Sequence, residues 1–152
     1  MTLKIGDMAP DFTLETDTQK TFSLSKSLGK ALVLYFYPKD NTPGCTKEAC
    51  DFRDYFEMFQ KHGVDIFGIS KDSAKAHTKF KEKFKLPFTL LVDVHGDVCE
   101  AYGVLNKKSL FGKTFLGIQR STFLIDKNGT IRAIWRKVKV PGHVEQILDE
   151  CK

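Results

Sequence analysis

Residues 31–50 of this chain read ALVLYFYPKDNTPGCTKEAC. The first seven form an uninterrupted apolar run that ends at a proline, which is typical of a central strand buried on both faces. Thr42 is a good helix cap and Pro43 suits the first helical position, so Cys45 falls in the first helical turn. The stretch therefore predicts a strand, a tight turn and a helix that carries two cysteines.

Strands and helices alternate through the rest of the chain. The predicted elements are an N-terminal β-hairpin over 12–25, a helix over 42–61, a strand over 64–70, a helix over 73–84, a strand over 89–93, a short helix over 97–102, a hairpin over 121–136 and a helix over 142–151. The stretch 104–117 has no clear period and is predicted to be a loop. We expect one α/β domain over 1–152, with a central mixed β-sheet flanked by helices.

Composition narrows the class of protein. A length of 152 residues suits one domain, and 24 Lys and Arg against 19 Asp and Glu give a net charge of +5. The N-terminal region carries four acidic residues where a signal sequence would need an apolar core. No apolar run reaches the ~18 residues of a membrane helix. We expect a cytoplasmic protein that does not enter a membrane, in which the four cysteines are buried or reactive rather than a disulfide scaffold.

Cys45 is the candidate nucleophile. Unpaired backbone N–H groups and the positive end of the helix dipole stabilise a thiolate in the first turn of a helix. Cys45 also begins an apolar stripe at helical spacing, which predicts that its thiol lies at the floor of a pocket. The stripe continues through Ala49, Phe52, Phe56 and Phe59.

Cys50 lies on a different side of the same predicted helix, in line with the polar residues Asp54, Glu57 and Lys61. Helix geometry puts the Cα atoms of Cys45 and Cys50 roughly 8 to 9 Å apart, beyond the ~7 Å that a disulfide can span. We hypothesise that Cys45 is oxidised to a sulfenic acid and that Cys50 condenses with it after the helix opens locally.

Other interpretations of the two thiols remain open at this point. Both could be ordinary core cysteines, as most free cysteines are. Four intervening residues match no usual zinc pair, and a thioredoxin-type redox pair has two. Cys99 is better explained as a core residue than as an alternative resolving thiol, and Cys151 has no assigned role because it lies at the chain end.

The basic residues and the histidines are weaker indicators of function than the cysteines. Lysines recur from Lys71 to Lys85, which raises the alternative of a nucleic-acid-binding module. They are spread around the predicted helix without a recognition motif, so a solvated face is the better interpretation, and we expect no nucleic-acid partner. The four histidines are scattered over predicted turns and helix surfaces and have no assigned role.

Residues 38–50 resemble the active-site segment of peroxiredoxins, specifically the peroxiredoxin Q or bacterioferritin comigratory protein subfamily. The similarity extends over nearly the whole chain, through residues 6–12, 84–88 and 117–126. It implies a thioredoxin-like fold and the thiol-dependent reduction of hydrogen peroxide and organic hydroperoxides. It also implies thioredoxin, or a glutaredoxin-like donor, as the reductant and a monomeric state. The thiol chemistry requires no cofactor, and the cysteine spacing leads us to expect no metal. A disulfide oxidoreductase without peroxidase activity is the alternative enzyme.

The resemblance also implies roles for individual residues. Cys45 corresponds to the peroxidatic cysteine and Cys50 to the resolving cysteine. Pro38, Thr42 and Arg120 correspond to the companions of the peroxidatic thiol in the active site.

These roles are physically reasonable. Arg120 can hold the thiolate and polarise the peroxide oxygens, because a guanidinium combines permanent charge with several donors. Thr42 can offer its hydroxyl to the peroxide, while Pro38 fixes the loop and shields the thiol. Glu48 is an accessory candidate that would orient Arg120 through an ion pair, although the helix dipole alone can explain an acidic residue there.

Overall fold

The computed structural model describes residues 2–152. The strands in this range are β1 (Thr13–Thr16), β2 (Thr21–Ser23), β3 (Ala31–Phe36), β4 (Val64–Ser70), β5 (Thr89–Val92), β6 (Leu105–Leu110), β7 (Lys113–Ile118), β8 (Ser121–Ile125) and β9 (Ile131–Trp135). The α-helices are α1 (Pro43–Asp54), α2 (Phe56–Lys61), α3 (Ala74–Phe84), α4 (Asp97–Ala101) and α5 (His143–Cys151). Apart from a helix break at Tyr55 and two strands within 104–118, these elements match the predicted alternation of strands and helices.

Seven strands form one mixed sheet in the order β2–β1–β5–β4–β3–β8–β9. β3 pairs in parallel with β4, and β4 with β5, whereas the other neighbours are antiparallel. The predicted N-terminal hairpin, β1–β2, is present at one edge of this sheet. The predicted hairpin around Asn128-Gly129 is also present, as β8–β9.

Strand β3 is buried on both faces, as its apolar run predicts. Val33 and Tyr35 point into one hydrophobic core, which they share with buried residues of α1, α2, α3 and α5. Leu34 and Phe36 point into a second core, which contains residues of α4 and of the N-terminal segment. Because successive side chains of a strand alternate between faces, one strand can support both cores. The result is a sheet covered on both sides.

The prediction of one helix over 42–61 is wrong at Tyr55. This residue has φ −100° and ψ 5°, which ends α1 and separates it from α2. The apolar stripe continues across the break, and for this reason the spacing predicted a single helix. Phe59 is fully buried with Phe52, at a ring distance of 6.0 Å, whereas Phe56 is only half-buried.

The prediction of a loop over 104–117 is also wrong. Strands β6 and β7 form a separate two-stranded antiparallel ribbon. Phe111 and Gly112 connect them, and both have a positive φ (52° and 77°), as a tight two-residue hairpin turn requires. The ribbon buries few side chains on either face, so its sequence lacks the alternation of apolar and polar residues that would have predicted it.

No helix within residues 2–152 is long and apolar enough to cross a bilayer.

We predict that Phe52→Ala lowers the free energy of unfolding by about 3–5 kcal/mol, because it leaves a cavity in the first core. Phe52 is fully buried, and its ring stacks on that of Tyr35 at 4.4 Å. Urea denaturation followed by circular dichroism measures the change. The control Met58→Ala removes a side chain that is 41% exposed and should cost less than about 1 kcal/mol. Equal losses in the two variants would contradict this description of the core.

Candidate active site

Cys45 lies where the parallel strand β3 delivers the chain into α1. Thr42 occupies the N-cap position, Pro43 is the first helical residue and Cys45 follows in the first turn, as the sequence predicts. The thiol belongs to the first core and its residue is only 1% exposed. The sulfur thus lies in a buried position at a helix start, where unpaired backbone N–H groups and the helix dipole attract negative charge.

Arg120 contacts this thiol from a distant part of the chain. It immediately precedes β8, the antiparallel neighbour of β3. Its Nη2 donates to Cys45 Sγ at 3.3 Å, and its Nη1 donates to Glu48 Oε1 at 2.7 Å. Burial lowers the pKa of Arg120, but the charges of Glu48 and Cys45 outweigh this effect, and the pKa is raised. The guanidinium is therefore a fixed positive charge beside the thiol.

Gly44 makes this close approach possible. A Cβ atom at this position would lie 3.1 Å from Arg120 Nη2, closer than nearly all such contacts. The absence of a side chain at Gly44 thus leaves room for the guanidinium over the first turn of α1.

Glu48 is completely buried on the next turn of α1. Burial raises the pKa of its carboxyl to about 7, and the neighbouring Arg120 partly opposes the shift. Oε1 accepts the hydrogen bond from Arg120, while Oε2 has no partner among the described residues. The ion pair proposed from the sequence is thus formed, with a carboxyl group that titrates near neutral pH.

Thr42 differs from its prediction in one respect. Its hydroxyl donates to the carbonyl oxygen of Lys39 at 2.8 Å and makes no capping hydrogen bond to α1. This bond closes the loop on itself instead of satisfying a helical N–H group. Pro38 is half-buried at the start of the same loop. The structure thus places Pro38 and Thr42 at the two ends of the segment that leads to Cys45.

Cys50 is half-buried, less exposed than the polar side of a helix implied, although Asp54 and Glu57 in the same line are exposed. Both Cys45 and Cys50 are free thiols within α1. Since the helix is intact between them, its geometry keeps their Cα atoms beyond the reach of a disulfide.

The two other cysteines lie elsewhere. Cys99 is completely buried in the second core, on the opposite face of the sheet from Cys45. Burial, followed by Asp93, raises the pKa of its thiol strongly. Cys151 is half-buried at the end of α5, where burial raises the pKa to about 11. Neither has the environment of a reactive thiol.

Two histidines were missed by the sequence analysis, which placed them in turns and on helix surfaces. His77 is completely buried, and His143 is 3% exposed. His143 Nε2 lies 2.8 Å from Thr122 Oγ1, and burial together with the charge of Arg120 lowers its pKa to about 4. His77 precedes Phe80 by three residues, and this apolar spacing was the available signal that it faces inward.

A buried cysteine at a helix start accepts a hydrogen bond from an arginine just before the neighbouring strand, an arrangement suited to thiol chemistry on an α/β sheet. Residues 5–134 match the model of the AhpC/TSA family. The chain is 54% identical over 152 residues to peroxiredoxin Bcp of Bacillus subtilis, covering 100% of this chain and 97% of that protein.

Two solved structures are similar as well. One is a bacterioferritin comigratory protein of Xanthomonas campestris that was studied for alkyl peroxide reduction, with a TM-score of 0.88 and 41% identity over 92% of this chain and 89% of that chain. The other is a mutant of Xylella fastidiosa peroxiredoxin Q, with a TM-score of 0.92 and 36% identity over 99% and 96% of the two chains.

The chain belongs to the AhpC/TSA family, as a peroxiredoxin of the Bcp or peroxiredoxin Q type. The resemblance carried by residues 38–50 and the expected thioredoxin-like fold are both confirmed. This membership favours peroxidase activity over the alternative functions that the sequence left open.

We predict that Glu48→Gln gains stability relative to the wild type as the pH rises. The pKa of Glu48 in the folded protein lies above the ordinary value of 4.5, so protonated Glu48 favours the folded state. This contribution is complete at low pH and is lost as the pH rises through about 7. Because glutamine is neutral throughout, the difference in unfolding free energy should shift by about 2–3 kcal/mol between about pH 5 and pH 8.

Urea denaturation at several pH values tests this prediction, with the exposed Glu57→Gln as the matched control. The control should follow the wild type across the range. Parallel stability curves for Glu48→Gln and the wild type would show that Glu48 does not titrate in this window.

Proposed function

We propose a complete reaction cycle for this thiol-dependent peroxidase, with Cys45 as the peroxidatic residue. The Cys45 thiolate attacks one oxygen of hydrogen peroxide or an organic hydroperoxide. The S–O bond forms as the O–O bond breaks, and the departing oxygen takes a proton and leaves as water or an alcohol. Cys45 is thereby oxidised to a sulfenic acid. The observation that carries the proposal is the 3.3 Å hydrogen bond from Arg120 to the Cys45 sulfur.

Arg120 stabilises both the reactant thiolate and the transition state of this step. Its guanidinium balances the thiolate and is held in place by Glu48 at 2.7 Å. Its donors also lie beside the peroxide oxygens, where negative charge develops as the O–O bond breaks. Thr42 orients the peroxide through its hydroxyl, whose oxygen can still accept a hydrogen bond, and Pro38 shields the thiol from water.

Cys50 resolves the sulfenic acid. Its thiol attacks the Cys45 sulfur, an S–S bond forms and water leaves. An intact α1 keeps the two Cα atoms too far apart, so the first turns of α1 must unwind before this step. Oxidation promotes the unwinding, because a sulfenic acid lacks the negative charge that Arg120 holds in the reduced protein.

A dithiol protein then reduces the disulfide and regenerates the two thiols of the enzyme. Thioredoxin, or a glutaredoxin-like donor, attacks the Cys45–Cys50 disulfide and leaves oxidised with a disulfide of its own. We propose that the enzyme acts as a monomer in the cytoplasm, where such donors keep thiols reduced.

Peroxide-dependent NADPH oxidation with thioredoxin and its reductase tests the cycle. Cys45→Ser should abolish activity, because it removes the nucleophile. Cys50→Ser should allow one oxidation per molecule without efficient turnover. Cys151→Ser is the matched control and should behave as the wild type.

Mass spectrometry after one equivalent of peroxide provides the second measurement. We expect a linkage between Cys45 and Cys50 in the wild type. Activity that survives Cys45→Ser would overturn the assignment, and unchanged turnover in Cys50→Ser would move the resolving role to another thiol.

A further inference from the structure

A buried polar cluster lies under the loop that carries Pro38 and Thr42, outside the thiol site itself. Asp40 is at its centre and is 9% exposed. Its Oδ1 accepts a hydrogen bond from the Tyr37 hydroxyl at 2.5 Å, and its Oδ2 lies 2.7 Å from His77 Nδ1. His77, on α3, is completely buried, and its Nε2 lies 2.8 Å from the carbonyl oxygen of Leu91 on β5.

These contacts determine the protonation of His77. A carbonyl oxygen can only accept, so Nε2 must carry a hydrogen to satisfy Leu91. The Tyr37 hydroxyl is a donor, because burial raises its pKa well above the ordinary value. Asp40 is then the acceptor between two donors, and the 2.7 Å distance to Nδ1 fits a charge-assisted hydrogen bond. The contacts thus fit a His77 imidazolium that donates from both ring nitrogens, to Leu91 and to Asp40.

The same loop is held at two further points. The Asp40 backbone N–H donates to Asp72 Oδ2 at 2.9 Å, and Ser70 Oγ donates to the same oxygen at 2.6 Å. Asn41, next in the chain, has φ 61°, a left-handed conformation that needs support in a residue other than glycine. Lys83 of α3 donates to its side-chain oxygen at 3.2 Å. The segment before Cys45 thus depends on α3 and on the end of β4.

We propose that His77 is a positioning residue for the peroxidase reaction: its ion pair with Asp40 holds the loop from Pro38 to Thr42 in the conformation that reacts with peroxide. The proposal rests on the role of Cys45 in the proposed function. His77 touches neither the thiol nor the peroxide and acts only through Asp40.

The ion pair makes the loop sensitive to pH. Burial lowers the pKa of His77, but the hydrogen bond and charge of Asp40 outweigh it and raise the pKa above 6.5. The imidazolium is therefore present at pH 6.5 and below, and it is lost as the pH rises through the raised pKa of His77. A neutral ring with its proton on Nε2 would turn the Nδ1 lone pair toward Asp40, which repels the carboxylate and loosens the loop.

The charged groups around His77 are consistent with a raised pKa of its ring. Asp40 and Tyr37 face it from the loop after β3, and Asp72 contributes a second negative charge from the segment after β4. β5 presents only the Leu91 carbonyl. On its own helix, Lys81 is paired with Asp17 at 3.1 Å.

A bound cation is the competing interpretation, since Asp40, Asp72 and His77 offer three ligand atoms within 4.8 Å of one another. Two ligands at right angles on a first-row metal lie about 3 Å apart or more, given bonds of about 2.0–2.2 Å. The 2.7 Å between Asp40 Oδ2 and His77 Nδ1 is a direct hydrogen bond. Both oxygens of Asp40 and Oδ2 of Asp72 already lie within hydrogen-bond distance of hydroxyl or N–H groups.

The test measures the rate constant of sulfenic acid formation at Cys45 with hydrogen peroxide, by rapid quench and mass spectrometry in a Cys50→Ser background. We expect His77→Gln to react about tenfold more slowly than its parent near pH 6, because the loop loses its anchor. Because ionisation of the thiol affects both proteins, the readout is the ratio of the variant's rate constant to that of its parent. The ratio should approach one at alkaline pH, where the parent loses its imidazolium. The exposed His62→Gln is the matched control and should keep a ratio of one throughout.

Asp40→Asn provides a rescue that a purely structural role would not produce. Its amide can donate to a neutral His77 while its oxygen accepts from Tyr37, so the cluster is rebuilt without charge. This variant should react faster than His77→Gln near pH 6 and should lack the additional decline of the parent at high pH.

Each result decides the question. A folded His77→Gln that reacts as fast as its parent at every pH would overturn the proposal, and so would a loss of rate on adding a chelator. If His77→Gln does not fold, ring ¹⁵N chemical shifts of wild-type His77 decide instead: protonation of both nitrogens near pH 6 supports the proposal, and a neutral ring overturns it. Absence of Cys45 oxidation in the parent would instead refute the proposed function.

Discussion

The contact between Arg120 and Cys45 depends on the register of two antiparallel strands. Phe36, the last residue of β3, pairs with Ser121, the first residue of β8. Arg120 therefore leaves the sheet at the same end at which β3 leads into α1. A slip of one residue would turn every side chain of β8 to the opposite face and remove the guanidinium from the thiol. The site is thus built by the pairing of the two central strands.

One buried ion pair contacts the thiol, and a second lies under the loop that leads to it. Glu48 holds Arg120 from within α1, whereas His77 holds Asp40 from α3. Buried charges are costly unless paired, so each pair is retained at the expense of stability that an apolar core would provide. Both lie at the carboxyl ends of the parallel strands β3 and β4, where open α/β sheets generally place their active sites. The arrangement fixes the loop and the arginine independently around Cys45.

Local signals in the sequence were sufficient to predict the centre of the fold. The apolar run of β3 and the Pro43 helix start predicted the position of Cys45, because strand burial and helix initiation depend on neighbouring residues. The break at Tyr55 was missed, since the apolar spacing continues across it. The β6–β7 ribbon was missed because its stability comes from backbone pairing with little burial.

The contacts of the site were harder to predict from local signals in the sequence. Cys45 could be recognised from its own surroundings, but the relation between Arg120 and Cys45 spans 75 residues and was expected only from the family resemblance. The contact of His77 with Asp40, 37 residues away, was not foreseen at all. No residue close to His77 in sequence identifies its partner; only the packing of α3 against the loop after β3 does.

We propose that Arg120 activates the Cys45 thiolate toward peroxide. The direct measurement is the rate constant of Cys45 oxidation by hydrogen peroxide in Arg120→Met and Arg120→Lys, each in a Cys50→Ser background. We predict a loss of about 100-fold or more for methionine, which keeps the bulk without charge or donors. Lysine should recover part of the rate, because it restores the charge without the two-pronged geometry. Oxidation of Cys45 at the parental rate in Arg120→Met would show that the guanidinium does not activate the thiol.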